Sequence, residues 1–323
     1  MGKNAIGRPA IWWSTFARSD FIRVPLPAAS TTAAIFCPRF DTILPLRRCP
    51  GLVASRGPPA KCMPHVTVGA MFVDLHLHAD GIPDQDLATL AYFGVKAAVT
   101  CARDAGSGGA LDLRRHWDEL VRVQTIRLEQ AGIQPMVALA LHPARIPWHG
   151  VDDLLQRLPH YFDDPRVVAL GELGLQDGGQ REEDIFSRQL ELAARLRKPV
   201  IVHTPAREKA SRTRRLLALV KRSAVEPWHV LVDHVNAETF ALVRGIGCWA
   251  GLTLQPGLLE PDDAAALISK HGADRIVLTS DIGEGATDLL ALPKAAEALK
   301  AAGLSEELRR RVFQEGPLAF LKS

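Results

Sequence analysis

Eight successive pairings of a short β-branched run with an amphipathic stretch, all between residues 71 and 323, predict an α/β fold of the (β/α)8 TIM-barrel type. Two further observations support that class. Motifs rich in His, Asp and Glu fall within or just after the runs, and a barrel gathers its strand ends at one mouth. Neither GxGxxG nor GxxxxGKS/T occurs, and "DAGSGG" after the second run reads as a flexible turn. An open doubly wound sheet, the alternative, would have difficulty bringing residues from strands 1, 4, 5, 6 and 8 to one place.

Taken in order, strands are expected over 71–77, 95–101, 135–141, 166–171, 199–203, 228–234, 246–252 and 275–280. Helices are expected near 84–93, 112–131, 151–161, 182–197, 207–222, 236–244, 258–271 and 287–300, with a last one near 305–315. In "MFVDLHLH", alternation puts Asp74, His76 and His78 on one face, the histidines about 6–7 Å apart along the strand. Leu75 and Leu77 then face the other way, into packing. The second helix sets Arg114, Arg115, Arg122 and Arg127 against Asp112, Asp118, Glu119 and Glu129, a solvent face laced with opposite charges.

Residues 1–70 read differently. They hold 9 of the 22 prolines, and 9 Lys/Arg against 2 Asp/Glu. They are expected to be a basic, Pro-rich, non-globular N-terminal extension, disordered or upstream of the true start, although their composition superficially resembles a transit peptide. Met71 opens directly onto the first strand, and Met63 is another candidate start. Residues 71–323 carry 30 Lys/Arg against 34 Asp/Glu, so the body is mildly acidic despite the net +3 of the whole chain. No extensive basic nucleic-acid surface is evident. Five scattered cysteines form no CxxC pair, which disfavours a disulfide framework or thiolate zinc site and points to a cytoplasmic setting. No apolar window is long enough to span a membrane.

His76, His78, Glu172, His203, His234 and Asp281 all fall at expected strand ends. Singly, each has a structural reading: a buried histidine bonded to backbone, a helix cap, a surface carboxylate. Together, imidazoles and carboxylates at one barrel mouth suit one or two divalent ions: Zn, Mn, Fe, Ni or Co, with Mg where carboxylates dominate.

The ordered segments "DLHLHADG", "ALALHP", "VVALGELGLQ", "KPVIVH", "LVDHVN" and "VLTSD" resemble the successive signatures of TatD-related metal-dependent hydrolases, within the amidohydrolase superfamily. The resemblance implies a (β/α)8 barrel of the metallo-dependent hydrolase type with a two-metal site. It implies His76, His78 and Asp281 on the first metal, Glu172 bridging, and His203 and His234 on the second. It implies phosphodiester hydrolysis, as in the family's DNases, with His142 at the substrate phosphate. The chain departs from the family after "GELGL", where "QDGGQREE" follows. It departs after the fifth strand, where "HTPAR" puts Arg207 four positions past His203. It departs again at Val235 and Asn236 in "DHVN".

Asp281 is the expected general base and Glu172 the second catalytic carboxylate. Arg207 and Arg103 are candidate anion contacts. Trp148 and His149 line the cleft or merely pack their loop, and Cys101 is either a nucleophile lacking its histidine or a core residue. Three functions stay open. They are a phosphodiesterase acting on a short nucleic acid or small molecule, an amide, ester or lactone hydrolase, and a non-catalytic binding or scaffold barrel.

Overall fold

The computed structural model describes residues 72–103, 108–285 and 287–323, all within the unit Pro58–Ser323. The expectations for residues 1–70 and for a start at Met63 or Met71 lie outside the described residues. Eight parallel strands pair in chain order: β1 (Phe72–Leu77), β2 (Val95–Cys101), β3 (Gln134–Ala138), β4 (Val167–Gly174), β5 (Val200–His203), β6 (Val230–Val232), β7 (Trp249–Thr253) and β8 (Ile276–Thr279). The ring closes just past β8, where Asp281 N–H donates to the His76 carbonyl (2.8 Å) and His78 N–H to that of Ile282 (2.7 Å). This is the predicted barrel.

Helices intervene as the 3.6-residue pattern requires. They are α1 (Asp84–Tyr92), α2 (Ala110–Glu119), α3 (Thr125–Gln130), α4 (Val151–Tyr161), α5 (Gln180–Leu196), α6 (Lys209–Arg222), α7 (Phe240–Gly245), α8 (Pro261–His271) and α9 (Ala291–Ala301). The expected helix over 112–131 is α2 and α3 joined through a π-type turn, Leu120–Gln124. Two short helices, α10 (Glu306–Arg310) and α11 (Gly316–Leu321), cover the barrel end opposite the mouth. There Phe313 meets Phe72 and Phe320 meets Trp249, edge to face.

Apolar packing forms two shells. Val73, Leu75, Val99, Met136, Ile201 and Val277 fill the barrel, while Leu77, Leu87, Leu90, Leu128 and Leu158 seal helices onto its outside. This corrects the expectation that Leu75 and Leu77 share a face. The pairing of β1 with β2 shifts register between Asp74 and Leu77. Such an irregularity inserts a residue and reverses the alternation. Leu75 therefore fills the barrel, and His76 and His78 still turn into the mouth.

Other differences have local causes. β6 begins two residues late because Pro227–His229 forms a 3-10 turn before it. β7 begins three residues late because Ile246 and Gly247 (φ +85°) still finish α7. α8 starts at Pro261, a residue suited to the first helical position. β4 runs on to Gly174, so Glu172 lies inside a strand and projects from the barrel wall. Among the described residues no helix is long and apolar enough to cross a membrane.

Candidate metal centre

The structure brings the six expected residues to one point. Glu172 Oε2 lies 2.9 Å from His76 Nε2 and 3.5 Å from His78 Nε2. Its other oxygen, Oε1, lies 3.5 Å from His203 Nδ1 and 3.7 Å from His234 Nε2. Asp281 Oδ1 is 3.0 Å from His78 Nε2 and 3.5 Å from His76 Nε2. The two oxygens of one buried carboxylate thus face two separate histidine pairs.

The far side of each ring fixes its tautomer. His76 Nδ1 donates to Asp233 Oδ2 (2.5 Å), and His78 Nδ1 to the Cys101 carbonyl (3.1 Å). His234 Nδ1 donates to Thr253 Oγ1 (3.0 Å), whose own hydrogen goes to Asp233 Oδ1 (2.7 Å). His203 Nε2 donates to Gln176 Oε1 (3.0 Å). Every neutral ring therefore aims a lone pair at the centre. The Nε2 atoms of His76 and His78 stand 3.2 Å apart. Two ligands on one tetrahedral zinc ion would stand about 3.3 Å apart.

Lone pairs and carboxylate oxygens facing one another across 3 Å require a cation between them. Glu172 Oε1 is buried and accepts no hydrogen bond, as expected of an oxygen reserved for a metal ion. Without a metal, protons must serve. Burial opposes charge on His76, but Glu172, Asp281 and Asp233 outweigh it and hold the ring well above the usual imidazole range. Burial likewise opposes ionisation of Glu172, and His76, His203 and His234 overcome it, keeping the carboxyl well below its ordinary range.

Metal and proton compete for the same lone pairs, and His76 must lose its proton to become a ligand. The raised His76 range means that this proton persists towards neutrality, so affinity should rise with pH. Calorimetric titration with Zn²⁺ at about pH 6 and about pH 8 should show clearly weaker binding at the lower pH. Equal affinities would contradict the competition.

The backbone is shaped to bring neighbouring side chains to the site. In a regular strand Asp233 and His234 would point to opposite faces. His234 has φ +56°, which turns both into the mouth, and Asp281 also takes a left-handed conformation, at φ +52°. Such conformations cost about 1–3 kcal/mol each in non-glycine residues and concentrate at functional sites. Gly251 leaves room for Asp233, since a Cβ there would stand 2.4 Å from Asp233 Oδ1. Asp74 braces the closure instead of facing the centre, accepting from Ser280 Oγ (2.5 Å) and from the Ser280 and His76 amides.

The family model described as "TatD related DNase" matches residues 73–281. This chain belongs to the TatD-related DNase family. It is 32% identical over 237 residues to an uncharacterized metal-dependent hydrolase of Methanocaldococcus jannaschii, covering 73% of this chain and 93% of that one. Among solved structures, a TatD-like protein from Archaeoglobus fulgidus superposes with a TM-score of 0.66 at 29% identity, covering 78% of this chain and 100% of the other. A phosphotriesterase homology protein from Escherichia coli shares the fold, with a TM-score of 0.58 at 16% identity, covering 77% and 97%. The chain is accordingly a TatD-type metal-dependent hydrolase, an enzyme whose His and Glu clusters are able to hold a divalent cation.

The remaining expected residues separate clearly in this TatD barrel. His142 lines the cavity over the centre, its ring 4.9 Å from that of His203. Its Nδ1 accepts from Ala144 N–H (3.2 Å), which places the ring hydrogen on Nε2, and His142 groups with Glu172 and His203 around the centre. Arg207 is exposed and outside the cavity lining, because α6 begins two residues beyond it. Arg103 is taken up by Asp80 at 3.0 Å. Trp148 is 83% exposed, so it does not serve to pack its loop. Arg181 lies 4.8 Å over its ring.

Cys101 is fully buried, and burial pushes its thiol well above the usual range. Burial also pushes Cys248 up, to about 12. Alkylation of the native protein followed by peptide mapping should leave both unmodified, and prompt labelling of Cys101 would reopen its case as a nucleophile.

Sequence reasoning missed Asp233, which orients His76, and Glu284, whose Oε2 lies 3.5 Å from His78 Nε2. It also missed Gln176, Gln255 and Lys209 in the cavity wall. The one available signal was Asp233 itself, a buried-strand carboxylate directly before a motif histidine.

Proposed function

We propose that this TatD-type enzyme hydrolyses a phosphodiester in a small molecule or at the end of a short nucleic acid. The observation that carries the reading is the convergence of four imidazole lone pairs on the two oxygens of Glu172. His76, His78 and Asp281 would hold one divalent ion, His203 and His234 a second, with Glu172 shared. The nitrogen-rich set favours Zn, Mn, Fe, Co or Ni over Mg. A divalent ion there supplies Lewis acidity, polarising the scissile group and acidifying water.

The chain's own residues supply the rest. Asp281, ionised and facing the cavity, accepts the proton of the attacking water. His142 Nε2–H donates to a phosphoryl oxygen as charge builds on it. Asp233 holds the His76 ring in its working tautomer. The cavity encloses about 320 Å³, the size of a small ligand, and Glu284 at its lining repels a polyanion. Long DNA therefore fits poorly.

Hydrolysis of an ester, amide or lactone is the second reading. It is favoured by the scarcity of cations, since Lys209 is the only Lys or Arg among the described residues lining the cavity. We further assign the hydrolase unit to residues 71–323, with residues 1–70 as an extension. A cytoplasmic setting suits the unpaired, buried thiols of Cys101 and Cys248.

The test is a panel on chelator-stripped enzyme reloaded with single metals. It contains bis(p-nitrophenyl) phosphate, p-nitrophenyl acetate and a γ-lactone. Metal-dependent turnover of the phosphodiester is expected, at a rate well above that on the other two. Turnover confined to the ester or lactone would replace the first reading by the second.

A further inference from the structure

We infer that a side pocket beside His234 binds an oxyanion of the substrate, a terminal phosphate or a carboxylate, through Lys209 and Asn236. The inference rests on the small-substrate reading above and adds what distinguishes that substrate. Two of the places where the sequence departs from its family, the segment after His203 and the pair Val235–Asn236, are far apart in the chain. The fold brings them together as the wall of one compact pocket of about 120 Å³, which opens off the main cavity and shares Ala206, Lys209, His234 and Leu258 with it.

Two of its polar side chains have hydrogens to donate. Lys209 Nζ makes one hydrogen bond, to Thr204 Oγ1 (3.1 Å). The Thr204 hydroxyl spends its own hydrogen on the Asp233 carbonyl (2.7 Å), so it can only accept from the ammonium. Two ammonium hydrogens remain, and no carboxylate among the described residues lies within ion-pair distance of Lys209. Of the other cations near the mouth, Arg103 is committed to Asp80 and Arg212 to Glu208 and the Gln176 carbonyl, while Arg207 lies outside the cavity lining.

Asn236 behaves alike. Its carboxamide oxygen accepts from Glu238 N–H (3.1 Å), Thr239 N–H (3.2 Å) and Thr239 Oγ1 (3.1 Å). That fixes the amide and leaves its NH₂ without an acceptor among the described residues. Val235, Leu258 and Leu259 make the apolar part of the wall, and His234 and Thr253 complete it. An ammonium and an amide NH₂ facing one small recess favour a compact anion, which can take charge-assisted hydrogen bonds from both. Burial already pushes Lys209 down to about 8, which is the cost of keeping an unpaired ammonium there and is relieved by a bound anion. Since His234 belongs to both cavities, the anion lies on the same molecule as the bond being cleaved, a short distance from it.

The experiment uses the full chain stripped of metal by chelation, so that no metal ion competes for the probe. Inorganic phosphate and acetate are titrated calorimetrically into the wild type, Lys209→Met and Lys209→Arg, each first shown to melt cooperatively. One of the two anions should bind the wild type, about tenfold or more weaker to Lys209→Met and nearly unchanged to Lys209→Arg. Whichever binds identifies the group as phosphate or carboxylate. Failure of both to bind, or equal affinity in Lys209→Met, overturns the inference. Because this readout needs no turnover, an enzyme inert towards bis(p-nitrophenyl) phosphate would defeat the phosphodiesterase reading without touching it.

Discussion

Replacing Glu172 by Gln should strip the protein of tightly held metal and of activity together. The carboxylate is buried, and its two oxygens serve two histidine pairs, 2.9 Å from His76 on one side and 3.5 Å from His203 on the other. A carboxamide removes the negative charge and sets an NH₂ donor against rings whose lone pairs already face inward. Repulsion between that NH₂ and a cation adds to the lost attraction. Removing a partner one step further from a metal typically costs 10–100-fold in affinity, so more than about 100-fold is expected here. Metal content by elemental analysis after dialysis, paired with turnover, checks it. A Glu172→Gln variant with full metal and full rate would remove Glu172 from the centre.

Asp281→Asn should separate holding metal from moving a proton. Asn keeps an oxygen where Asp281 Oδ1 meets His78 Nε2 at 3.0 Å, but it cannot accept a proton from water. Burial opposes the Asp281 charge, yet His76, His78 and His234 outweigh it and hold the carboxyl below its ordinary range. The group is therefore ionised and ready as a base at neutral pH. Loss of a general base lowers turnover by about 10²–10⁴-fold, and metal content should fall far less than in the Glu172 variant. The comparison is kcat at saturating metal. A value within about fivefold of the wild type would assign the proton to another group, with Glu284 the nearest alternative.

Much of this was legible in the sequence because two strong regularities carried it. Period-two and period-3.6 patterning located eight strands and their helices, and the polar residues stood where strand ends must converge. What could not be read depends on local departures from those periods. The irregularity in β1 moves Leu75 into the barrel, and no residue type in "VDLHLH" announces it. Asp233 was hidden by its own neighbour, since alternation assigns it to the face opposite His234. Only the left-handed backbone at His234 overrides that, and a histidine does not advertise positive φ as a glycine does. Arg207 drew attention as the cation nearest the His203 motif, whereas the start of α6 at Lys209 decides which cation reaches the cavity.

The tautomers are legible only in three dimensions. His142 and His203 are equally plain histidines in sequence. One has its Nδ1 filled by the Ala144 amide and the other has its Nε2 tied to Gln176, so the two rings are held through different nitrogens.

If these inward-facing lone pairs form a divalent metal centre, the chain must carry its ion through purification. The most direct measurement is the metal content of the purified chain by elemental analysis, beside that of the double variant His76→Ala/His78→Ala. About one to two equivalents of Zn, Mn, Fe, Co or Ni per chain are expected in the wild type, with a marked loss in the variant. No bound metal even after reconstitution, or the same content in both proteins, would contradict such a centre.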